Sequence, residues 1–318
     1  MRIEQGVWEG QVIECCVATM AYNEEANIGR MLDALLNQRL QQVHIAEIVV
    51  VASGCTDCTE DIVRSYAVTE PRIRLITQRR RRGKSAALNL LLRRTDAEVV
   101  VLVNADTVPA PDAIERLVAP LRDPRVGMTG GRPVPTNDPR TFMGYAAHFL
   151  WTLHHQLSLR YPKMGEMVAF RNVFRKIPSD SAVDEASIEP LIRGQGYQLR
   201  YVPEAVVYNR GPETVEDFLR QRRRIYAGHV YVRDTLGYRV ATMKVMRILR
   251  TLLFNPGVRR DWRYFVWGPG VIALEVWARV LGMLDYRLWR REHAVWEVAE
   301  TTKSVPVPPV APSGPEGA

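Results

Sequence analysis

The sequence predicts an α/β fold built on a mostly parallel sheet with helices on both faces. In the first third of the chain, short runs rich in Val and Ile alternate with helical patterns. These runs are apolar almost throughout, which is typical of strands buried on both faces of a sheet. Polar residues follow each run directly, and in parallel sheets ligands bind outside the carboxyl ends of the strands. The pattern therefore predicts both the sheet and the edge at which its chemistry lies.

The individual elements follow from periodicity and from turn-forming residues. Ile28, Met31, Leu32 and Leu35 recur at helical spacing after the first apolar run, and Gly54 marks the turn after the second. Strands are expected at 12–20, 47–51, 73–76, 98–103 and 198–207, and helices at 24–38, 57–66, 85–92 and 214–224.

The composition is that of a globular protein with an anionic partner. The chain has 318 residues, of which 47% are hydrophobic and 25% are charged, so it can bury a sizeable core. Its formal net charge of +8 favours nucleic acid, nucleotide phosphates or anionic lipid as a partner. Charge alone does not choose among these three.

The four cysteines do not by themselves predict a metal or redox centre. Cys15 and Cys16 lie in an apolar run and are expected to be buried as small hydrophobic residues. Cys55 and Cys58 form a C-x-x-C, but no second such pair and no His pair follows at zinc spacing. We therefore interpret this segment as a turn with reduced thiols, as is usual in the cytosol.

Composition also divides the chain into regions. The N-terminus is polar, so no secretory signal is expected there. We expect a main domain at 1–230 with halves of about 1–130 and 131–230, and a helical region at 231–300. A tail rich in Pro and Gly at 301–318 is predicted to be disordered.

An apolar stretch at 264–284 raises the question of a membrane helix. Glu275 and Arg279 lie four residues apart, in the order that favours an ion pair on one helix face. Burial against the main domain, attachment in a membrane interface and a true span are all open, and the basic segment at 220–250 favours attachment. One expected face of the helix carries Glu275, Arg279, Gly282, Tyr286 and Arg290, and the other carries Val271, Leu274, Ala278, Leu281 and Leu288. Aromatic residues suited to the headgroup region are Trp262, Trp267, Trp277, Trp289 and Trp296.

Short motifs follow the strands in a characteristic order. They are Tyr22-Asn23-Glu24-Glu25, Ser53-Gly54-Cys55-Thr56-Asp57-Cys58-Thr59, Gly83-Lys84-Ser85-Ala86-Ala87-Leu88-Asn89, Asn104-Ala105-Asp106, Tyr201-Val202-Pro203-Glu204-Ala205 and Gln221-Arg222-Arg223-Arg224. Together they resemble the motifs of the inverting glycosyltransferases of family 2, in particular the membrane-associated bacterial and archaeal type. The resemblance runs from about residue 12 to residue 229 and implies the GT-A fold, a Rossmann-like fold of nucleotide-diphospho-sugar transferases.

The resemblance implies a nucleotide-sugar donor site in the first half of the main domain and an acceptor site in the second. Asp106 would bind Mg²⁺ or Mn²⁺, a hard cation that bridges the donor phosphates. Two alternatives stay open, since Asn23 is also suited to cap a helix and Lys84 to lie solvated in a basic loop. The implied donor-binding residues are Tyr22, Asn23, Glu25, Ser53, Lys84, Asn104, Gln221 and Arg224.

The general base is implied to be a carboxylate of the pair Asp184 and Glu185. Glu185 matches the usual base by position, but the order of the two acids is inverted, so Asp184 is a second candidate. Both residues also suit the N-terminus of a helix, where acids are favoured by the dipole. His155 and Glu166 lie where the acceptor is expected, although a buried core position is the simpler interpretation of His155.

Three positions depart from the family pattern. Asn104 replaces the first acid of the D-x-D motif, so that metal binding rests on Asp106. Ser53 replaces a nucleotide-contacting acid, and Ile225 replaces the tryptophan that usually follows Arg224. These departures leave a catalytically inactive scaffold of the same fold as an alternative.

Other classes of protein fit less well. A sugar-phosphate nucleotidyltransferase would carry a glycine-rich loop after the first strand, and a dinucleotide-dependent oxidoreductase would carry G-x-G-x-x-G there. A nucleic-acid-binding module would account for basic residues such as Arg79 and Arg82, and for those at 222–224, but not for the acids at the strand ends.

The sequence therefore predicts an enzyme that transfers a sugar from a nucleotide-diphospho-sugar to an acceptor hydroxyl or lipid phosphate with inversion. The expected acceptor is lipid-linked or a glycan, and no nucleic-acid partner is expected. We expect a peripheral protein at the cytoplasmic face of the cell membrane.

Overall fold

A computed structural model of the chain describes residues 10–288 except residues 256 and 259. The strands are β1 (Ile13–Ala21), β2 (Val43–Ser53), β3 (Ile73–Gln78), β4 (Val99–Val103), β5 (Thr107–Pro109), β6 (Val126–Pro135), β7 (Met167–Arg171) and β8 (Gln198–Asn209). The α-helices are α1 (Ile28–Leu36), α2 (Thr59–Thr69), α3 (Lys84–Leu92), α4 (Ala113–Val118), α5 (Phe142–Ser158), α6 (Asp184–Gly194), α7 (Val215–Leu236), α8 (Val245–Phe254) and α9 (Trp262–Arg287).

The strands form one eight-stranded sheet in the order β3-β2-β1-β4-β7-β6-β8-β5. Strands β3, β2, β1 and β4 are mutually parallel, which confirms the predicted α/β fold in the first half of the chain. Beyond β4 the pairing changes, because β7 runs antiparallel to both β4 and β6, and β5 runs antiparallel to β8. The sheet is therefore mixed. Its parallel strands β3, β2, β1 and β4 lie side by side and are followed by polar motifs, and β6 and β8 form a separate parallel pair.

Strand β4 shows how both faces of the sheet are covered. Val99, Val101 and Val103 pack into a core with α1, while Val100 and Leu102 pack into a second core with α3. All five side chains of the strand are buried, as its continuous apolar sequence predicts.

Helix α9 packs on two other helices. Near its start, Val271 joins a small core with Ala146 and Phe149 of α5. Near its end, Gly282 lies against the backbone of α7, where a Cβ atom would be 2.5 Å from the carbonyl oxygen of Arg223. A glycine here lets the two helices approach to backbone contact.

Ion pairs reinforce the contact between α7 and α9. Nε and Nη2 of Arg222 donate to the two carboxylate oxygens of Glu275, at 2.7 Å each, and Nε of Arg279 donates to the same carboxylate at 2.9 Å. Arg223 makes a similar two-pronged contact with Asp285 of α9. The predicted ion pair between Glu275 and Arg279 is therefore confirmed, with a third member from α7.

The predicted division of α9 into two faces is wrong. Val271 and Ala278, assigned to one face, are buried in the same helix as Gly282, assigned to the other. Glu275 faces α7, where Arg222 binds it. The opposite, exposed side of α9 therefore carries large apolar residues. The exposed side chains are Phe265, Val266, Ile272, Val276, Trp277 and Val280.

Helix α9 is, among the described residues, the single helix long and apolar enough to cross a membrane by length and composition. Only 22% of the most apolar 18-residue stretch of this helix is buried in the protein. The predicted disordered tail at 301–318, Trp289, Arg290, Trp296 and most of the polar N-terminus lie outside the described residues.

Loss of the Glu275 carboxylate should destabilise the protein, because Arg222 would be left partly buried without its anion. The two side chains are 13% and 26% exposed, so Glu275→Gln is expected to lower the free energy of unfolding by about 1–3 kcal/mol, less than for a fully buried pair. Urea denaturation measures the change.

The matched control is Glu216→Gln, which removes an exposed ion pair with Arg220 on the same helix α7. Glu216 is 81% exposed, so the control should change stability by no more than about 0.5 kcal/mol. Equal effects of the two substitutions would contradict the structural role of Glu275.

Candidate active site

Two loops at the carboxyl ends of β1 and β2 are joined by side-chain hydrogen bonds. The backbone N–H of Thr56 donates to Oδ1 of Asn23 at 2.9 Å, and the backbone N–H of Cys58 donates to Oε2 of Glu25 at 3.0 Å. Asn23 has a positive φ of 52°, which asparagine tolerates better than most residues. Asn23 does not cap α1, since Asn27 holds that position, so the capping alternative is wrong.

Tyr22 and Ser53 contact the basic loop that precedes α3. The guanidinium of Arg81 lies 3.9 Å from the centre of the Tyr22 ring. The hydroxyl of Ser53 donates to Gln78 at 2.8 Å and accepts a longer bond from the backbone N–H of Arg82 at 3.4 Å. Gly54 has a φ of +69°, and a Cβ there would meet the backbone of Arg81 at 2.5 Å. Tyr22 and Ser53 therefore come together at the carboxyl ends of β1 and β2.

The burial of Cys15 and Cys16 in β1 confirms the prediction made from their apolar run. Cys15 and Cys16 are buried, and all four cysteines are free thiols. Burial raises the pKa of Cys55, whose thiol lies 3.7 Å from the carbonyl oxygen of Ala21. Within the residues that the structure describes, no group of three His, Cys, Asp or Glu side chains is placed to hold a metal ion.

A buried lysine connects three elements at the centre of the site. Nζ of Lys84, the first residue of α3, lies 2.7 Å from Oδ1 of Asn104, 3.0 Å from Oδ2 of Asp184 and 3.3 Å from Oε1 of Glu185. Asn104 directly follows β4, and the two acids begin α6. The side chain of Lys84 is only 20% exposed, so the interpretation of a solvated lysine is wrong. We call Lys84, Asn104, Asp184 and Glu185 the lysine cluster.

The charges of the lysine cluster shift its pKa values strongly. Burial alone would lower the pKa of Lys84, but Asp184, Glu185 and Glu166 outweigh it and raise that pKa. Burial raises the pKa of Glu185 to about 8, and the neighbouring Asp184 adds to the effect. The interpretation of Asp184 and Glu185 as mere helix-terminal acids is therefore insufficient, because both are bound to a buried cation.

Glu166 and Arg224 extend the lysine cluster. The side-chain amide of Asn104 donates to Glu166, and burial and the charge of Asp106 raise the pKa of Glu166. Burial lowers the pKa of Arg224 to about 10, against the opposing effect of Glu166 and Asp106. Glu166, which was expected at the acceptor, thus lies beside the residues of the D-x-D position.

The three consecutive arginines of α7 have different partners. Arg222 and Arg223 bind acids of α9, while Arg224 lies among the carboxylates of the site. The interpretation of this segment as a solvated basic face is therefore wrong. Gln221 is partly buried on α7, one turn before Arg224.

His155 makes a different contact from the other expected site residues. Its Nδ1 hydrogen-bonds the hydroxyl of Tyr201 on β8 at 2.9 Å, and burial lowers its pKa. The neighbouring His154 is the buried core histidine, 6% exposed. The structure therefore groups Glu166, but not His155, with the lysine cluster by direct hydrogen bonds.

Glu189 is a buried residue that sequence reasoning missed. It is 1% exposed, and it accepts hydrogen bonds from the backbone N–H of Met164 at 3.1 Å and from the hydroxyl of Tyr238 at 2.6 Å. Burial raises its pKa. These bonds fix the segment that leads to Glu166, and no local pattern in the sequence distinguishes Glu189 from an exposed helical acid.

The carboxylates around Asp106 suit a divalent cation that also binds phosphate oxygens of a substrate. Asp106 and Glu166 bring two carboxylates close enough for one to raise the pKa of the other. Oδ1 of Asn104 already accepts a hydrogen bond from Lys84 at 2.7 Å, so Asn104 is less suited than a free carboxylate to hold a cation. Mg²⁺ sites commonly use one or two carboxylates together with substrate phosphates. Asp106 and Glu166 are therefore the residues that could hold such an ion.

The pKa of Glu185 predicts how stability changes with pH. Its ordinary value is 4.5 and its folded value is about 8, so the folded protein holds this proton more tightly than the unfolded chain. The resulting stability is fully present below pH 4.5 and is lost as the pH rises through about 8. Glu185→Gln, which is always neutral, should therefore gain stability relative to wild type as the pH rises.

Thermal melting between about pH 5 and about pH 9 measures this difference. The control Glu216→Gln, at an exposed acid of α7, should keep a nearly constant offset from wild type. A constant offset for Glu185→Gln as well would show that the Glu185 carboxyl is not perturbed.

Two curated relatives match much of the chain. A dolichyl-phosphate beta-glucosyltransferase of Trichomonas vaginalis is 27% identical over 208 residues, which are 59% of this chain and 62% of that protein. A poly-beta-1,6-N-acetyl-D-glucosamine synthase of Staphylococcus aureus is 24% identical over 260 residues, which are 77% of this chain and 61% of that protein. The chain thus spans somewhat less than two thirds of the length of these relatives.

The fold is similar to that of a solved mannosyltransferase from Pyrobaculum calidifontis in complex with GDP-Man and Mn²⁺. The TM-score is 0.61 at 21% identity, over 87% of this chain and 88% of that chain. The family model "Glycosyl transferase family 2" matches residues 16–190, more than half of the chain. That span includes the whole lysine cluster. The chain therefore belongs to glycosyl transferase family 2, with the GT-A fold that its motifs imply.

Proposed function

We propose that this chain is an inverting glycosyltransferase that transfers a sugar from a nucleotide-diphospho-sugar to an acceptor hydroxyl or lipid phosphate. The observation that carries the proposal is the lysine cluster. Two carboxylates are held against a buried lysine at the carboxyl ends of the strands, and burial gives one of them a pKa of about 8. Carboxyl groups whose pKa is strongly shifted by burial and by a specific charged partner are typical of active sites.

Glu185 is the proposed general base. Its side chain is 19% exposed, while that of Asp184 is 3% exposed, so Glu185 is the more accessible to an acceptor. With a pKa of about 8, its carboxylate is a stronger proton acceptor near neutral pH than an ordinary glutamate. Asp184 is proposed to position Lys84 and, through it, Glu185.

The proposed reaction is a single displacement. The acceptor oxygen attacks the anomeric carbon as its proton passes to Glu185, and the bond from that carbon to the diphosphate oxygen breaks. For a lipid phosphate acceptor, the attacking oxygen is already anionic and needs no base. Attack opposite the leaving group inverts the anomeric configuration, as the resemblance to inverting enzymes implies.

The donor is proposed to bind against the loops after β1 and β2. Tyr22, Asn23, Glu25 and Ser53 would contact the nucleoside, while Gln221 and Arg224 would approach the diphosphate from α7. A guanidinium matches phosphate oxygens in a two-pronged geometry, which suits Arg224 to this role. Lys84 would contact the diphosphate only by giving up part of its contact with the acids.

A divalent cation is proposed at Asp106 and Glu166. Bound Mg²⁺ or Mn²⁺ would offset the charge that develops on the leaving diphosphate. The solved mannosyltransferase of this fold holds Mn²⁺ together with GDP-Man, which supports the proposal for this chain.

The acceptor and the location are proposed together. The exposed apolar side of α9 and the basic residues of α8 suit attachment at a membrane surface. The free thiols suit the reducing cytoplasmic side. One relative is a dolichyl-phosphate glucosyltransferase, which supports a lipid-linked acceptor, with a glycan as the alternative. His155 is proposed to contact this acceptor from α5.

Donor binding should raise the thermal midpoint of the protein, because a ligand that binds only the folded state stabilises it by mass action. One nucleoside diphosphate of a panel is expected to raise the midpoint by roughly 4 °C at about 100-fold its Kd, and more with Mn²⁺ than without. Asp106→Ala should abolish the increment due to Mn²⁺. The sugar derivative of the nucleoside diphosphate that raises the midpoint should serve as the donor in an assay of sugar transfer or hydrolysis.

The control is Asp61→Ala, at an exposed acid of α2 that is paired with Arg64. It should keep the full increment with Mn²⁺. Nucleotide binding without any transfer or hydrolysis of the sugar would favour the inactive scaffold, and an increment that survives in Asp106→Ala would overturn the cation site.

A further inference from the structure

A cationic cleft lies between the end of α5 and helix α8. Its volume is about 170 Å³, several times the ~30 Å³ that one water molecule takes up in the liquid. Its walls include Arg160, Arg247 and Arg250, and its apolar lining includes Leu157 and Met246. No residue of the lysine cluster lines the cleft.

The three arginines of the cleft contrast with the ion-paired arginines that join α7 to α9. Arg222 and Arg223 of α7 and Arg279 of α9 are each paired with a carboxylate of α9. Within the described part of the chain, no carboxylate forms an ion pair with Arg160, Arg247 or Arg250.

Arg247 is held in place by an aromatic contact. Its guanidinium lies 3.7 Å from the centre of the Tyr161 ring, which fixes the plane of the group. A ring face accepts no ordinary hydrogen bond from the guanidinium edge, so this contact does not use the N–H groups that match phosphate oxygens. Three like charges gathered on one cleft repel one another, and an anionic ligand would offset that repulsion.

The surface beside the cleft is apolar and exposed. On α8, Ile248 and Leu252 face the protein, whereas Met246 is 75% exposed and Leu253 is 60% exposed. Phe254, at the end of the helix, is 77% exposed. Exposed apolar side chains that lie together on one side of a helix mark an interaction surface. The ligand that fits both features is therefore amphiphilic, with an anionic head in the cleft and an apolar part along α8.

We propose that this cleft binds the phosphate headgroup of an anionic phospholipid while the exposed side of α8 lies in the membrane interface. The inference rests on the membrane attachment proposed above and gives it a specific lipid contact. It also fixes the orientation of α5 at the membrane surface, because Arg160 and Tyr161 follow directly on that helix.

Vesicle sedimentation tests the proposal with the full chain and without nucleotide or acceptor. Wild type should bind phosphatidylcholine vesicles that contain phosphatidylglycerol far better than phosphatidylcholine alone. The triple variant Arg160→Gln, Arg247→Gln, Arg250→Gln should lose about 100-fold in affinity for the anionic vesicles, or about fivefold for each arginine. If the triple variant does not fold, Arg250→Gln alone, at an exposed position, should lose about fivefold.

The matched control changes three exposed basic residues of the same region outside the cleft, Arg239→Gln, Lys244→Gln and Arg287→Gln. This control variant has the same net charge as the cleft variant. Its loss of affinity for anionic vesicles should be at least tenfold smaller than that of the cleft variant, because its residues lie outside the cleft. Equal losses in the two variants would show diffuse attraction to the surface and overturn the proposal.

Inorganic phosphate and glycerol phosphate distinguish a lipid from a soluble anion. With the ionic strength held constant by adjusting the other salt, neither compound should displace wild type from anionic vesicles. Neither has the acyl chains that would lie along α8. Displacement by either would assign the cleft to a soluble phosphate and overturn the lipid proposal. Failure to bind any vesicle would overturn it too, whereas the nucleotide-induced rise in thermal midpoint tests the transferase activity separately.

Discussion

The candidate active site depends on one buried ammonium group. Lys84 begins α3, and its partners come from the end of β4 and from the start of α6. A buried lysine without anions would lose its proton or disrupt the fold, whereas here the nearby carboxylates keep its pKa raised. The same contact holds Asp184 and Glu185 at the edge of the sheet, where they would otherwise repel each other.

The environment of Glu185 follows from this arrangement. Two adjacent acids share one lysine, so the cation cannot fully neutralise both, and burial penalises the charge that remains. Glu185 is the acid whose pKa rises to about 8. Glu185 is therefore both accessible and more basic than an ordinary glutamate. Its raised pKa results from burial and from the neighbouring charges.

Helix α7 connects this site with the C-terminal helices. Successive arginines on one turn of the helix bind Glu275, bind Asp285 and reach the carboxylates of the site. The position of Arg224 is thus tied to the packing of α9. The acids Glu275 and Asp285 of α9 face α7 and are largely buried there, while large apolar side chains of α9 are exposed. A helix at the surface of a water-soluble protein usually has the opposite arrangement, with its apolar side buried.

The parallel half of the sheet could be predicted from the sequence, because its strands are local apolar runs followed by polar turns. Strands β5 and β7 could not, since they have three and five residues and pair antiparallel with distant partners. The site residues were found through motifs, but their contacts were not, because Lys84 and Glu185 lie 101 positions apart. Periodicity likewise could not orient α9, since its deciding partner, Arg222, lies 53 positions away.

The pH dependence of kcat/KM for sugar transfer to a hydroxyl acceptor, in wild type and in Lys84→Met, tests the account most directly. Wild type should show a rise in kcat/KM with an inflection near pH 8, where Glu185 loses its proton. Lys84 lowers the pKa of Glu185, so its removal should move the inflection to higher pH. An inflection between about pH 4 and about pH 5 in both proteins, the range of an ordinary glutamate, would contradict the account.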